Sequence, residues 1–327
     1  MRAVWYEATG PADSVLRYGI VDDPLPGPGE VRVRIRASGV NPSDVKARSG
    51  TRGPMPFARV IPHSDGAGEI DAIGVGIDAS RLNERVWLWN AAWKRADGTC
   101  AEYVCLPADQ AVPLPQNTSW DAGACLGIPA STAAHAVFAD GDVSGQTVLV
   151  TGGAGAVGHY AIQLALWGGA RVIATVSRDE KAQIAHAAGA HAVINYRAGD
   201  TAAAIRDVAG SAGVDRIIEV EFGGNLAVSQ TVLAPGGVIA AYGSMAEPTP
   251  QFPFYPLMFN NTTLRMMLVY MLTAQERASV IGRLTSALEA NALHHAIAAR
   301  FALDETAKAH EAVETGALIG NAVILTD

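Results

Sequence analysis

The chain has 327 residues, of which 49% are apolar and 17% charged, and its formal net charge is −8 at pH 7. This length exceeds what one hydrophobic core usually serves, so we expect two domains. The acidic balance disfavours a nucleic-acid scaffold, because phosphate contacts need clustered Lys and Arg.

The first third of the chain, to about Leu114, has the texture of a β domain. It is rich in Pro and Gly and contains short extended segments. In residues 30–37, small or apolar side chains alternate with charged ones at the period of two that is typical of a strand with one buried face. We therefore predict a compact β domain here.

A glycine-rich turn follows a buried strand at residues 147–158. Gly153, Gly155 and Gly158 match the spacing G-x-G-x-x-G. In such turns the first glycine permits the tight turn, the second admits a pyrophosphate, and the third allows close strand–helix packing. The following helix directs unpaired N–H groups at the phosphates. The predicted cofactor-binding residues of this turn are Gly152, Gly153, Ala154, Gly155, Ala156, Val157 and Gly158.

Strands and helices alternate through the rest of this region. The predicted strands are 147–150, 171–176, 192–196, 216–220 and 238–242, and the predicted helices are 160–167, 180–188, 202–209 and 226–233. Alternation of this kind, with continuously apolar strands, predicts an α/β fold with a doubly wound parallel sheet covered on both faces. Ligands bind such sheets at the carboxyl ends of the strands, which is where the glycine turn falls.

The end of the second strand indicates which dinucleotide binds. NAD enzymes usually place Asp or Glu there, and this chain has Val176. Ser177, Arg178 and Lys181 follow, a hydroxyl and two cations that suit a 2′-phosphate, and Tyr196 ends the third strand. We therefore predict NADPH. The alternative is that the two cations are solvated charges beside acidic neighbours at a helix start.

The C-terminal part returns to mixed structure. An apolar segment at 264–272 is followed by predicted helices at 274–289 and 305–314 and a predicted strand at 322–325. We place the domain boundaries near Ser119 and Leu264. Residues 1–119 then form the first domain, residues 265–327 complete it, and residues 120–264 form the nucleotide domain.

The termini and cysteines indicate a protein of the reducing cytosol. The first 16 residues contain two acidic residues and a proline where a signal peptide would be apolar. The segment at 264–272 is too short to span a membrane and contains Arg265. The three cysteines are too few and too irregularly spaced for a disulfide framework or a four-thiolate zinc site.

Further motifs extend over nearly the whole chain. They are residues 37–44, 48–50, 64–68, 101–103, 127–133 and 189–197, together with the glycine turn. With them, the chain resembles the medium-chain dehydrogenase/reductase superfamily, and within it the zinc-free quinone oxidoreductase (zeta-crystallin-like) branch. The resemblance implies a Rossmann domain beside a GroES-like β-barrel catalytic domain that the C-terminal segment completes.

The resemblance also bears on metal chemistry. Alcohol dehydrogenases of this superfamily hold a catalytic zinc with Cys, His and Cys, and the matching positions here are Asn41, Ser64 and Ile128. We therefore predict no metal. His63 precedes one of these positions, and we interpret it as a structural residue. Without a metal, the enzyme is expected to reduce a quinone or a double bond conjugated to a carbonyl, with NADPH as the hydride source.

Roles for individual residues follow from the resemblance. It implies that Asn41 donates a hydrogen bond to the acceptor and that Asp44 orients its loop; a loop residue that satisfies backbone groups is the other interpretation of Asn41. Further cofactor contacts are implied for Thr132, Gly243, Ser244, Leu268 and Val269, and for Asn321, which stands where many relatives have Lys.

The substrate region departs from the family. Lys46 and Arg52 replace tyrosines that line a quinone pocket in relatives. This departure weakens the quinone assignment and favours a smaller or anionic acceptor. The alternative is that both cations are simply solvated. Trp93 is the aromatic candidate for substrate contact.

Two alternatives to quinone reduction stay open. They are an enone or enoyl-thioester reductase, and a non-catalytic crystallin-like or RNA-binding role. The apolar segment at 264–270 is expected to form an edge strand that pairs two subunits in a homodimer, with a tetramer as a further possibility, unless it is buried within one subunit.

Overall fold

The structure is a computed structural model that describes residues 1–326. It divides into two compact units. We call Met1–Ile128 together with the segment from His295 the split unit, and Pro129–His294 the central unit.

Extended strands dominate the chain up to Ile128. In order, its elements are β1 Arg2–Trp5, α1 Ala12–Val15, β2 Arg17–Ile20, β3 Glu30–Val40, α2 Pro42–Ser49, β4 Asp65–Ile73, β5 Arg85–Leu88, β6 Tyr103–Pro107, β7 Ala111–Pro113 and α3 Trp120–Gly123. A short π-helical turn, Leu126–Ala130, follows.

Helices and strands alternate in the central unit. Its elements are α4 Ser131–Phe138, β8 Thr147–Val150, α5 Ala156–Trp167, β9 Arg171–Val176, α6 Asp179–Ala187, β10 Ala192–Asn195, α7 Thr201–Ala209, β11 Val214–Glu219, α8 Phe222–Val232, β12 Leu233–Ala241, α9 Phe254–Phe259, β13 Thr263–Met266 and α10 Ala274–Glu289. The C-terminal segment adds β14 Ile297–Ala302, α11 Thr306–Glu314 and β15 Asn321–Leu325.

One seven-stranded sheet organises the described part of the split unit, in the order β14-β15-β3-β4-β5-β7, with β6 also paired to β3. Along β3, Val31, Val33 and Ile35 are buried, as the period-two pattern predicts. They pack with Ile70 and Leu106 in one apolar core. Strand β15 runs antiparallel to β3, so the end of the chain completes a sheet that its beginning starts.

The central unit contains a parallel sheet, with the order β10-β9-β8-β11-β12-β13 in the described residues. This confirms the predicted α/β fold with a doubly wound parallel sheet. Strand β8 lies between β9 and β11, so the strand order reverses there. The crevice at such a reversal is where open α/β sheets bind ligands, and the glycine turn begins directly after β8.

The unit borders differ from the predicted boundaries at Ser119 and Leu264. Leu264 lies inside β13, which hydrogen-bonds to β12 as the next strand of the parallel sheet. Helix α10 then packs against α4 of the same unit. Because both elements belong to this sheet and its covering layer, the central unit extends to His294.

Among residues 1–326, no helix combines the length and the apolar composition that a membrane crossing requires. The three cysteines, Cys100, Cys105 and Cys125, are free and buried.

Candidate active site

The glycine turn has a backbone geometry that requires glycine at defined positions. Gly152 has a φ of 64°, in the left-handed region. A Cβ at Gly153 would lie 2.8 Å from the Ala174 Cβ of β9. The tight bend is therefore at Gly152, and the sequence-based assignment of that bend to Gly153 was wrong by one residue. Gly153 is needed instead for close packing against β9.

The other two glycines lie at the start of α5. A Cβ at Gly158 would lie 2.3 Å from the carbonyl oxygen of Gly152, so the helix approaches the turn too closely for any side chain. Gly155 is exposed, and the one protein atom near a Cβ there would be the Gly152 carbonyl oxygen, at a tight 3.3 Å. Gly155 thus leaves an open face at the helix start, where N–H groups lack helical partners.

A cavity of about 410 Å³ opens at the carboxyl ends of the central strands. Its lining includes Thr151, Tyr196 and Val220, each of which directly follows a parallel strand, together with Thr175 inside β9 and Gly152. The structure therefore brings two predicted cofactor residues, Gly152 and Tyr196, to one cavity. In the described chain, Ser177, Arg178 and Lys181 are not among its lining residues.

The predicted phosphate-binding residues follow β9. Arg178 caps α6, and its Nε lies 3.2 Å from Glu180 Oε2 in an exposed ion pair. Ser177 and Lys181 are half-buried, and Val176 is buried. No acid therefore occupies the usual ribose-binding position at the end of β9. An exposed ion pair contributes at most about 1 kcal/mol, so the contact with Glu180 leaves Arg178 able to pair with another anion.

Two acidic residues that sequence analysis missed organise this edge of the sheet. Buried Glu219 accepts hydrogen bonds from Thr151 Oγ1 at 2.8 Å and from Asn225 Nδ2 at 2.9 Å, and burial raises its pKa. Glu221 accepts from the Met245 N–H at 2.7 Å. The only feature of the sequence that could have indicated them is an acidic residue at the end of an apolar strand, Glu219, with a second acidic residue, Glu221, two positions later.

The predicted residues Gly243 and Ser244 lie in the loop after β12, beside the start of α8. Ser244 Oγ accepts from the Gly223 N–H at 2.9 Å, and a Cβ at Gly243 would lie 2.4 Å from the Val220 carbonyl oxygen. Together with Glu221, these contacts tie the loop to the start of α8.

In the split unit, Asn41 lies at the junction of β3 and α2, which it caps. Its Nδ2 donates to Asp65 Oδ2 at 2.9 Å, and its backbone N–H donates to Asp44 Oδ2 at 2.8 Å. The Ile128 N–H donates to the same Asp65 oxygen at 3.0 Å. Asp65 is fully buried. Asp65 lies within the motif at residues 64–68, and its sequence position alone indicates no role for it.

Asp44 is buried at the start of α2, and burial raises its pKa to about 7. The hydrogen bond from Asn41 and the charge of Arg52 oppose that rise. The carboxyl group therefore holds the backbone of Asn41, which is the arrangement expected of a residue that orients its loop.

The three positions that correspond to zinc ligands present an unsuitable donor set. Asn41 directs an amide N–H at Asp65, Ile128 contributes a backbone N–H and an aliphatic side chain, and Ser64 is a buried hydroxyl. Zinc needs lone pairs from thiolate, imidazole or carboxylate. Within residues 1–326, no group of three or more His, Cys, Asp and Glu side chains could hold a metal ion.

His63 forms a buried pair with a distant histidine. Its Nε2 lies 2.9 Å from Nε2 of His310 in α11, and its Nδ1 lies 2.9 Å from Ser38 Oγ. Burial lowers the pKa of His63 well below its usual value and that of His310 to about 3. Both imidazoles are therefore neutral at pH 7, as befits a structural pair.

Lys46 and Arg52, the predicted substrate residues, lie close together. The Arg52 N–H donates to the Lys46 carbonyl oxygen at 3.3 Å. Burial, and then the charge of Arg52, lower the pKa of Lys46. Trp93 is half-buried, and its ring centroid lies 5.9 Å from the Lys94 ammonium.

The remaining predicted residues are distributed over the two units. Thr132 is buried in α4, Leu268 is exposed and Val269 is buried, all in the central unit. Asn321 belongs to the split unit, where its Nδ2 donates to the Ala296 carbonyl oxygen at 3.2 Å. Its side chain therefore stabilises the start of β15.

Comparison with known proteins agrees with this architecture. Residues 27–116 match the family model described as an alcohol dehydrogenase GroES-like domain, and residues 156–286 match the model described as a zinc-binding dehydrogenase. A β unit of the first kind and a nucleotide-binding unit of the second define a two-domain dehydrogenase.

The relatives narrow this class. Quinone oxidoreductase of Homo sapiens is 32% identical, over 97% of this chain and 94% of that protein. A 2-haloacrylate reductase of Burkholderia is 30% identical, over 99% and 98%. A mycobacterial protein whose structure was solved with NADPH aligns over the full length of this chain and of its own, with a TM-score of 0.87 and 28% identity.

The chain belongs to the quinone oxidoreductase (zeta-crystallin-like) branch of the medium-chain dehydrogenase/reductase superfamily, as its motifs predicted. It is an oxidoreductase that acts on a small molecule.

Proposed function

We propose that this protein is an NADPH-dependent, zinc-independent reductase of quinones or related conjugated carbonyl compounds. The observation that carries the proposal is the glycine turn at the reversal point of the parallel sheet, next to a cavity and without an acid at the end of β9. The mycobacterial protein solved with NADPH supports the choice of cofactor.

The residues of the turn fit a dinucleotide. Gly155 offers an exposed backbone without a side chain, and α5 begins there with unpaired N–H groups and a positive dipole end, which together suit a pyrophosphate. Tyr196 and Thr175 line the cavity that would take the adenosine end. Ser177, Arg178 and Lys181 would neutralise the 2′-phosphate. Bound NADPH supplies the hydride.

The split unit would stabilise the acceptor. The Asn41 carboxamide has one N–H on Asp65 and a second N–H that can donate to an acceptor oxygen as it gains negative charge. Asp44 fixes the backbone of Asn41, so the donor is held before the acceptor binds. Zinc independence is supported by the same contacts, because two N–H donors point at a carboxylate where a metal would need lone pairs.

Turnover assays test this function. NADPH oxidation is measured against 1,4-benzoquinone, 9,10-phenanthrenequinone, short enals and enones, with and without a chelator, and NADH is the matched control. We expect NADPH-dependent reduction that the chelator leaves unchanged. Oxidation of simple alcohols with NADP⁺ that the chelator abolishes would contradict the proposal, and so would equal turnover with NADH.

A second candidate substrate class is favoured by the two cations in the loop after Asn41. Lys46 is half-buried, Arg52 is exposed, and the charge of Arg52 lowers the pKa of Lys46, so an anion near both cations would offset their repulsion. A conjugated carboxylate would supply that anion, and the related 2-haloacrylate reductase supports this class. Substrate contact by Trp93 remains a prediction from the sequence. Reduction of enoyl thioesters also remains a prediction from the sequence.

A substrate panel separates the two classes. K46A/R52A removes both cations and should raise the KM for 2-chloroacrylate at least about tenfold, the loss expected for one charged contact, and leave the KM for 1,4-benzoquinone unchanged. Equal KM values for 2-chloroacrylate in the wild type and the variant would contradict the carboxylate class and leave quinones as the proposed substrates.

We also propose a homodimer. Strand β13 is one of the two outer strands of the described central sheet, and Met266 on it is 68% exposed. Exposed Phe259 on α9 adjoins it in sequence and enlarges the apolar surface. Pairing of two β13 strands across a two-fold axis would cover Met266 and Phe259.

Light scattering tests this pairing. It should give a dimer for the wild type and a monomer for M266E/F259E. A monomeric wild type would contradict the pairing, and a tetramer would need a second interface.

A further inference from the structure

Asp65 is the point at which three separate segments of the split unit meet. It begins β4, it lies opposite Gly39 of β3 in the sheet register, and it is fully buried. One of its oxygens, Oδ2, accepts both from Asn41 Nδ2 and from the Ile128 N–H. The proposed function uses Asn41 as a donor but assigns nothing to the carboxylate behind it.

The packing around Asp65 fixes where its carboxylate lies. A Cβ at Gly127 would lie 2.4 Å from Asp65 Oδ1 and 2.5 Å from the Leu88 carbonyl oxygen. A Cβ at Gly39 would lie 3.1 Å from the Asp65 Cβ and 2.1 Å from the Ala124 carbonyl oxygen. Gly127 thus makes room for the carboxylate, and Gly39 makes room for the Cβ of Asp65.

The carboxylate also decides the orientation of the Asn41 carboxamide. The oxygen and nitrogen of an amide have nearly the same shape, so only hydrogen bonds distinguish its two orientations. Asp65 Oδ2 already accepts from the Ile128 N–H, which identifies it as an acceptor oxygen. Nδ2 of Asn41, the donor end of the amide, therefore faces it. Its second hydrogen is then held in a defined direction as a donor.

We propose that Asp65 is a positioning residue that holds the Asn41 carboxamide in the orientation in which it donates to the acceptor oxygen. This inference rests on the proposed function, because the donor role of Asn41 is part of that proposal. Asp65 does not touch the acceptor itself. It acts through Asn41, and the bond from Ile128 keeps the carboxylate oxygen in place.

A double-mutant cycle tests this role in turnover. N41A should lower kcat about 100-fold, as for the loss of one oxyanion donor. D65A should lower kcat about 10- to 100-fold with the KM for NADPH unchanged, and it should lower kcat no further in the N41A background. If D65A does not fold, D65S replaces it in the cycle. An unchanged kcat in D65A, or an equal loss in both backgrounds, would overturn the proposal.

An NMR measurement tests the orientation without turnover. In wild-type protein labelled with ¹⁵N-Asn, one Asn41 side-chain N–H should be protected from solvent exchange, and the protection should be lost in D65A. Equal exchange in both proteins would overturn the role of Asp65 whatever the assays show. A protected Asn41 in an enzyme that reduces none of the tested acceptors would instead overturn the proposed function and leave the positioning intact.

Discussion

The two units build their candidate sites by opposite means. In the central unit the site is made of backbone: three glycines and a helix start lie within one short stretch of chain, and what matters is the absence of side chains. In the split unit the site is made of side chains from distant segments, Asn41 and Asp65, joined to the backbone of Ile128. Adding atoms should therefore damage the first site, and removing atoms should damage the second.

The largest effect is expected where a side chain is added to the turn. In G158A the new Cβ would lie 2.3 Å from the Gly152 carbonyl oxygen, so α5 must move away from the turn. NADPH affinity should fall at least about 100-fold, equal to about 2.7 kcal/mol. Titration calorimetry measures this loss.

A matched glycine provides the control. Gly282 lies within α10, and a Cβ there would meet nothing within 4 Å. G282A should leave NADPH affinity unchanged and raise the melting temperature slightly, because Ala favours a helix by up to about 1 kcal/mol over Gly. If G158A bound NADPH like G282A, the backbone account of the turn would be wrong.

Removal of a side chain should have the next largest effect. N41A leaves the acceptor oxygen without its proposed donor, so kcat should fall about 100-fold. The affinity for NADPH should not change. Steady-state kinetics combined with calorimetry separates the two quantities; a lower NADPH affinity with an unchanged kcat would contradict the division of roles between the units.

The contrast explains what the sequence could predict. The limits of β9 and α10 match the predicted segments 171–176 and 274–289, because the apolar pattern and the flanking glycines or caps are local. The glycine turn is likewise contiguous, and only its bend was placed one residue late. Such features depend on residues that are neighbours in the chain.

Features that depend on sheet register or on packing between distant segments could not be predicted. Asp65 meets Asn41 because β3 and β4 pair with Gly39 opposite Asp65, and His63 meets His310 across most of the chain. A single sequence shows an acidic residue beside a strand-like segment, but neither its burial nor the side chain that it contacts. The boundary at Leu264 failed for a similar reason, because β13 joins a sheet whose order the sequence does not reveal.

A smaller effect should come from the cations after β9. R178A/K181A removes the groups that would pair with the 2′-phosphate, so the Kd for NADPH should rise about tenfold, equal to about 1.4 kcal/mol. The Kd for NADH should not change. Equal changes for both nucleotides would indicate that these side chains support the fold and do not distinguish the phosphate.

The histidine pair predicts a pH dependence of stability. Burial lowers the pKa of His310 from 6.5 to about 3 in the folded protein, so between these values the unfolded chain binds more protons. The contribution of neutral, buried His310 to the free energy of unfolding is therefore complete above pH 6.5 and is lost as the pH falls towards 3. The raised pKa of Asp44 acts in the opposite direction, which makes a comparison of variants necessary.

Denaturant unfolding between pH 4.5 and 6 isolates this contribution. The free energy of unfolding of H310Q should depend on pH less steeply than that of the wild type, by about 1.4 kcal/mol per pH unit. H186Q, which changes an exposed residue of α6, should retain the wild-type slope. Identical slopes in H310Q and the wild type would mean that the pair takes up protons in the folded state.

Calorimetric titration of the wild-type protein with NADPH tests the central claim most directly. We expect one NADPH site per chain, weaker binding of NADH, and loss of the signal in G158A. A folded wild-type protein, stripped of bound nucleotide, that gives no heat with NADPH would contradict the account.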